Sequence, residues 1–144
     1  MMAEAIRAVM VEAYRVEAVI LGVRDFAPLH RTAAQIAATD ALFLGISLED
    51  TLAAVAEVES SEPGHLHISS LVVLPSQFRR GLGSALVRHI LDTTSDDVTV
   101  STGVRNQPAL SLYTSHGFRE DRRWTTRDGI AMITLRHRLS NPID

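Results

Sequence analysis

A two-glycine loop that joins an extended segment to a helix constrains this chain more than any other feature of its sequence. The run 71–74 is apolar, and Gly81 and Gly83 stand at the start of a stretch whose apolar residues recur with helical spacing. Such a loop collects backbone N–H groups at the positive end of a helix, where they bind phosphate or pyrophosphate, and Arg79 and Arg80 add positive charge. A tight turn that uses glycine only for its conformational freedom is the competing interpretation. The loop therefore indicates an anion site or a plain turn.

The periodicity of the apolar residues predicts four helices and about six strands. Helices are predicted over Ala3–Leu21, from Thr32 to about Asp40, over Leu82–Asp92, and from Pro108 to just before Gly117. Strands are predicted as two hairpins, 42–46 with 51–59 and 118–126 with 130–139, and as the single runs 65–74 and 98–104. The predicted fold is α+β: helices cover a mixed, mostly antiparallel sheet around one strand-helix-strand unit, and no strand precedes the first helix.

The composition is that of a single folded domain, which we expect to span residues 1–144. Hydrophobic residues make up 46% of the chain and charged residues 22%, as in soluble globular proteins. No apolar run reaches the roughly 18 residues that span a bilayer, and Glu4 and Arg7 interrupt the region where a secretory signal stays apolar. We therefore expect a cytoplasmic protein that does not associate with membranes.

Two residue types are absent, which excludes several chemistries. Without cysteine the chain has no disulfide, thiolate metal site or cysteine nucleophile. All 14 basic residues are arginine, so a P-loop lysine and Schiff-base catalysis are excluded. The histidines outside the run 65–67 show no metal-binding spacing, and a formal net charge of -3 does not favour a nucleic-acid partner. We therefore expect neither a metal nor nucleic acid at the functional site.

A second informative segment extends from Asn106 to Phe118. Asn106 is suited to cap a helix, and Ala109, Leu112 and Tyr113 share one helical face. Taken by itself, the segment predicts a packed amphipathic helix with Tyr113 as an aromatic core residue.

Together the two segments resemble the GCN5-related N-acetyltransferase (GNAT) family. The resemblance is most specific in the loop 79–84 and in the pattern Asn106, Ala109, Leu112-Tyr113, Gly117-Phe118. It implies transfer of an acetyl group from acetyl-CoA to a primary amine, directly within a ternary complex.

The family pattern assigns roles to individual residues. It implies that Leu71, Val72 and Val73 lie beside the pantetheine arm, with Asn106 and Ala109 near the same part of the coenzyme. It implies that the pyrophosphate is held by the backbone amides of Arg79, Arg80, Gly81, Leu82, Gly83 and Ser84. It also implies that Tyr113 lies near the sulfur and donates a proton to the leaving thiolate.

The chain departs from the family pattern in two places. Phe78 stands where the family usually has Gln or Arg three residues before the first loop glycine, and the family's usual first strand is missing. Binding of a pyrophosphate by the backbone amides of the loop requires neither that Gln or Arg side chain nor the first strand. These departures keep open a non-catalytic acyl-CoA-binding or sensing module as an alternative to an enzyme. A nucleotide-phosphate domain that uses the same loop is less well supported, because the chain has no lysine.

The residue that accepts a proton from the amine is not fixed by the sequence. His65 and His67 are two apart on the predicted central strand, so we expect them to share a face with Ser69 and Leu71, with His67 nearest the thioester. Glu57 and Glu59 on the preceding strand are competing bases, with a solvated strand edge as the simpler interpretation.

The acceptor is equally open. It is expected to be a small-molecule amine or an amine of a peptide or protein, and Tyr14 is a candidate to contact it, although packing in the core explains Tyr14 as well. A homodimer is possible on family grounds, and no segment indicates an interface.

Overall fold

A computed structural model describes residues 2–138, apart from the side chain of Ser61. The four helices are α1 (Met2–Leu21), α2 (Ala33–Ala38), α3 (Leu82–Thr93) and α4 (Gln107–Ser115). The six strands are β1 (Leu42–Leu48), β2 (Thr51–Glu62), β3 (His65–Val73), β4 (Asp97–Gly103), β5 (Arg119–Thr125) and β6 (Ala131–His137). Short 3₁₀ helices occupy Ala27–His30 and Pro75–Gln77. The predicted fold class is confirmed, and within the described residues no strand precedes α1.

The strands form one sheet in the order β1-β2-β3-β4-β6-β5. All neighbouring pairs are antiparallel except β3 and β4, which run parallel because α3 connects them. The sheet is therefore two antiparallel halves joined along a single parallel seam.

Helices cover both faces of the sheet. On one face, α3 and α4 pack against a core that includes Ile68, Val98 and Leu135. On the other face, α1 and α2 pack against Val55 and Val72. Alternation along the strands explains this division, since neighbouring residues of a strand point to opposite faces.

Local sequence signals placed most element ends correctly. Thr32 and Gln35 form the predicted capping box at the start of α2, with the Gln35 N–H donating to Thr32 Oγ1 at 3.1 Å. Asn106 caps α4 as predicted, and α4 ends at Ser115, before Gly117. Val104 lies beyond the end of β4, and the predicted last strand extended to Leu139, which lies outside the described residues.

A β-bulge at Ser69 changes which residues of β3 share a face. Glu57 pairs with Ser70 and Val58 with Ile68, so Ser69 is an extra residue on β3. After the bulge, Leu71 packs on the α3 side, whereas His67, which pairs with Glu59, lies on the opposite face. The expectation that His67 and Leu71 share a face is therefore wrong. Side chains of a strand alternate between the two faces of the sheet, so one inserted residue moves those that follow it to the opposite face.

Candidate active site

The parallel seam opens beyond its first half. The ladder between β3 and β4 runs from His65 and Asp97 to Ile68 and Val100 and then stops, so the last residues of both strands diverge. A cavity of about 440 Å³ lies at the gap and is lined by residues of both α1 and α4. Its walls include Tyr14, Glu17, Leu21, Phe26, Pro28, Ser69, Ser70, Leu71, Ser101, Thr102, Asn106, Ala109, Tyr113, Arg127, Asp128, Ile130 and Met132.

The predicted anion loop lies beside this gap. Arg79 and Gly81 adopt left-handed backbone conformations, with φ of 66° and 76°. The N–H groups of residues 79–84 donate to no acceptor within the described chain, whereas the next one, Ala85, donates to Gly81. These six consecutive free N–H groups, at the start of a 12-residue helix, are the cradle that the sequence predicts for an anion. The side chains of Arg79 and Arg80 are exposed next to it.

Close packing holds the cradle against the end of β3. A Cβ atom at Gly83 would lie 3.3 Å from Leu112 Cδ2 and 3.6 Å from Leu71 Cδ2, so the first turn of α3 touches both α4 and β3. Ser84 Oγ lies 2.7 Å from His116 Nε2, which adds a polar link to the end of α4. Phe78, which stands where the family usually has Gln or Arg, is 45% exposed.

The residues predicted to lie beside the pantetheine arm are arranged around the open edge of β3. Leu71 lines the cavity, Val73 packs with Leu71 on the α3 side, and Val72 is buried against α1. The edge of β3 that faces β4 has no ladder partner after Ile68. Its backbone groups are available to an extended ligand, as a strand edge is.

Tyr113 brings an unused hydroxyl into the cavity. Its side chain is buried against Phe118, with ring centroids 5.5 Å apart. The hydroxyl makes no hydrogen bond within the described residues, and it is not sealed from the cavity. Burial raises the pKa of Tyr113, and Tyr14 and Glu17 raise it further. The phenol is therefore neutral at pH 7 and free to donate to a ligand.

Asn106 is occupied by two protein contacts. Its Oδ1 accepts from the N–H of Ala109 at 3.3 Å, and its Nδ2 donates to Glu17 Oε1 at 2.8 Å. Both Asn106 and Ala109 line the cavity. Their contact with a coenzyme stays a prediction.

Tyr14 ends a polar network that extends away from the cavity. Its hydroxyl donates to Ser70 Oγ at 3.0 Å, and Ser70 donates to Glu57 Oε1 at 3.2 Å. Glu57 is buried, and both its oxygens accept from Arg31, at 2.6 and 2.7 Å. Burial raises the pKa of Tyr14 to about 12. Glu57 is thus a paired carboxylate in the interior, not part of a solvated edge, whereas Glu59 is exposed.

Replacing Arg31 by Ala is expected to lower the free energy of unfolding by about 2–3 kcal/mol, because it leaves the Glu57 carboxylate buried without its cation. The measurement is urea denaturation at pH 7. The control is Arg15→Ala, since Arg15 forms an exposed pair with Glu12 at 3.9 Å and is expected to contribute less than about 0.5 kcal/mol. Equal losses in the two variants would show that the internal pair does not stabilise the fold.

His67 lies outside the cavity wall. Its Nδ1 is 2.8 Å from Thr99 Oγ1, and the same oxygen is 2.7 Å from His65 Nε2. Burial lowers the pKa of His67, which keeps the imidazole neutral at pH 7. Its role as a base stays a prediction.

The sequence matches a known family over most of its length. A family model described as "Acetyltransferase (GNAT) family" covers residues 4–118. The chain belongs to the GNAT acetyltransferase family. The resemblance carried by the glycine loop and the Tyr113 helix is therefore confirmed.

One curated protein, "UPF0157 protein YqkA" of Bacillus subtilis, is 35% identical to this GNAT chain over 120 residues. The match covers 82% of the chain and 35% of the relative, so the chain corresponds to about a third of that protein's length.

Solved structures share the fold at low identity. The ribosomal-protein-S18-alanine N-acetyltransferase of Escherichia coli superposes with a TM-score of 0.75 at 20% identity, covering 96% of this chain and 88% of that one. A PaiA N-acetyltransferase of Thermoplasma acidophilum, solved with coenzyme A, superposes with a TM-score of 0.72 at 15% identity, covering 94% and 92%.

Among the members of this GNAT cavity that sequence reasoning missed is a carboxylate, Glu17. A signal for it exists: Met10, Tyr14, Glu17 and Leu21 follow one another at spacings of four, three and four, so a carboxylate sits in the apolar stripe of α1. Within residues 2–138 no cluster of three or more metal-ligating side chains occurs, and no helix there has the length and apolarity to cross a bilayer.

Proposed function

We propose that this chain is an acetyl-CoA-dependent N-acetyltransferase that moves an acetyl group directly to a primary amine in a ternary complex. One observation carries the proposal: the cradle of free N–H groups packs through Gly83 against Leu71, and Leu71 lines the same cavity as the unbonded hydroxyl of Tyr113. The acceptor is a small-molecule amine or an amine of a peptide or protein.

The coenzyme would lie on the α3 and α4 side of this gap. The amides of residues 79–84 would receive the pyrophosphate, and Arg79 and Arg80 would add charge. The pantetheine arm would then run along the open edge of β3 beside Leu71 and towards Ala109. Such an arrangement leaves the α1 side of the cavity for the acceptor.

Positioning supplies much of the catalysis. An amine held against the thioester carbonyl avoids most of the entropic barrier, and a backbone N–H near Val73 would stabilise the developing oxyanion. Tyr113 would donate a hydrogen bond to the departing sulfur. Full proton transfer from a phenol of ordinary pKa to a thiolate is already uphill by roughly 2 kcal/mol, and burial raises the pKa of Tyr113 further. The hydroxyl therefore passes on a proton from the attacking nitrogen as it donates its own, and stays neutral.

Calorimetry and mass spectrometry test this function together. Titration with CoA is expected to release or absorb heat with 1:1 stoichiometry, whereas ATP and NAD are expected to give none. Incubation with acetyl-CoA and a mixed panel of amines is expected to yield an acetylated amine and free CoA in equal amounts. Binding without any turnover would instead support the sensing module, and absence of CoA binding would overturn both.

A further inference from the structure

A carboxylate with one unused oxygen lines the acceptor side of the cavity. Glu17 belongs to α1 and is one turn from Tyr14. Its Oε1 accepts from Asn106 Nδ2 at 2.8 Å. Its other oxygen receives no hydrogen bond from residues 2–138, and it is not sealed from the cavity. The free oxygen can therefore accept from a bound molecule.

No cation of the described chain is bonded to this carboxylate. The groups that face the same cavity are the neutral hydroxyls of Tyr14 and Tyr113 and, at the exposed rim formed by the β5–β6 hairpin, the opposite charges of Arg127 and Asp128. Asn106, the partner of Glu17, is uncharged. Burial raises the pKa of Glu17, and its hydrogen bond to Asn106 offsets only part of that rise. A positively charged ligand would complement this site.

We propose that Glu17 binds the ammonium group of the acceptor and takes its proton before the nitrogen attacks. This inference rests on the proposed function, because it needs a thioester in the same cavity. Glu17 lines the cavity whereas His67 does not, so Glu17 reaches the amine directly. It replaces His67 as the proposed proton acceptor.

Two residues, Glu17 and Tyr113, account for both protons that the ammonium group loses in the reaction. Glu17 takes one proton from the ammonium group, and the neutral nitrogen forms its bond to the carbonyl carbon of acetyl-CoA. When the carbon–sulfur bond breaks, the nitrogen loses a second proton, which reaches the sulfur through the hydroxyl of Tyr113. The products are the acetylated amine and CoA thiol, and Glu17 releases its proton to solvent.

The walls near Glu17 indicate the acceptor class. Leu21, Phe26, Pro28 and Met132 supply apolar surface on the same side of the cavity. Of the two carboxylates that line the cavity, Asp128 is exposed at the rim beside Arg127, and only Glu17 lies beside this apolar surface. This favours a primary amine on an apolar or aromatic carrier over a polyamine, whose further charges would lose their water without gaining a buried partner.

The test compares Glu17→Gln with the wild type, using 2-phenylethylamine as the acceptor between pH 5.5 and 9.5. Glutamine keeps an oxygen for Asn106 Nδ2, so a purely structural role predicts wild-type kinetics. The proposal predicts a loss of about 10²–10³-fold in kcat/KM, with an unchanged Kd for CoA. It also predicts that the rate of the variant rises with pH towards the pKa of the free amine, because the amine must then arrive neutral.

Two further variants serve as controls. Glu12→Gln, on the exposed side of α1, is expected to match the wild type. His67→Ala is expected to keep the acidic limb of the pH profile. A Glu17→Gln variant within threefold of the wild type, or a His67→Ala variant that alone loses the acidic limb, would overturn the proposal.

Measuring the binding of the amine and of CoA separately distinguishes a failure of this inference from a failure of the proposed function. Calorimetry on the wild type is expected to detect 2-phenylethylamine, and Glu17→Gln is expected to weaken it at least tenfold while leaving the neutral analogue 2-phenylethanol unaffected. If the wild type binds CoA but not the amine, the inference about Glu17 fails and the transferase stands. If it binds the amine but not CoA, the transferase fails while the ammonium site stands.

The stability of the same variant is expected to depend on pH. Because the pKa of Glu17 is higher in the folded than in the unfolded protein, ionisation opposes folding, and stability falls as the pH rises from the unfolded pKa through the folded one. Glu17→Gln is therefore expected to have a higher Tm than the wild type at pH 8, with the difference closing towards pH 4. Differential scanning calorimetry at both pH values measures this, and a lower Tm at pH 8 would contradict it.

Discussion

Tyr113→Phe is expected to lower kcat by about 10²–10⁴-fold while leaving the affinity for acetyl-CoA nearly unchanged. The hydroxyl makes no hydrogen bond within the described chain, so its removal takes nothing from the coenzyme cradle at residues 79–84. What it removes, in the proposed mechanism, is the donor to the departing sulfur. Steady-state kinetics and calorimetry with CoA measure the two quantities separately.

The stability of the Tyr113→Phe variant shows whether a loss of turnover has a structural cause. Because the Tyr113 hydroxyl has no described partner, phenylalanine leaves no polar group unpaired, and the Tm is expected to stay the same. Tyr14→Phe is the matched comparison, since that hydroxyl donates to Ser70 and its loss is expected to lower stability by about 1 kcal/mol with a smaller effect on kcat. Unchanged turnover in Tyr113→Phe would remove this residue from the chemistry.

Gly81→Val is expected to weaken CoA binding by at least about 10²-fold. Gly81 has a φ of 76°, a conformation that a β-branched residue strongly disfavours. A shift of this residue to ordinary φ would rotate the adjoining N–H groups out of the cradle. Each charge-assisted hydrogen bond contributes about 1.5–3 kcal/mol, so losing two of them accounts for the expected change. Calorimetry with CoA measures it.

Gly64→Val controls for backbone strain. Gly64 has a φ of 79°, a Cβ there meets nothing within 4 Å, and the residue lies at the opposite end of β3 from the cradle. Its replacement is expected to lower stability as much as that of Gly81 and to leave the Kd for CoA within about twofold. If both variants lose CoA binding equally, destabilisation is the cause and the loop does not bind the pyrophosphate.

The sequence predicted those parts of the fold that depend on neighbours along the chain. Thr32 and Gln35 satisfy each other's backbone within one turn, and Asn106 caps α4 through the N–H three residues later. The N–H groups of residues 81–84 in the cradle are of this kind too, because an α-helix leaves its first four N–H groups without partners. Local motifs were therefore sufficient to identify the family and the loop.

Position within the sheet was harder to predict. One bulged residue, Ser69, put His67 and Leu71 on opposite faces, and no local signal distinguishes a bulge from a regular strand in an apolar run. For Glu57, a solvated strand edge was the simpler interpretation, yet the residue is buried and both its carboxylate oxygens accept from Arg31. Burial of a strand residue depends on which helix covers its face, and the chain decides that only when it folds.

The sequence by itself determined the family, the glycine loop before α3 and the helix that carries Tyr113, because each arises from groups a few residues apart. Only the tertiary structure placed Glu17 in the cavity and gave it Asn106 as a partner, 89 residues away along the chain. The physical reason is that a carboxylate gains or loses its charge according to the water and the ions around it. For Glu17, those surroundings come from α4, the sheet and the β5–β6 hairpin, which meet α1 only in the folded protein.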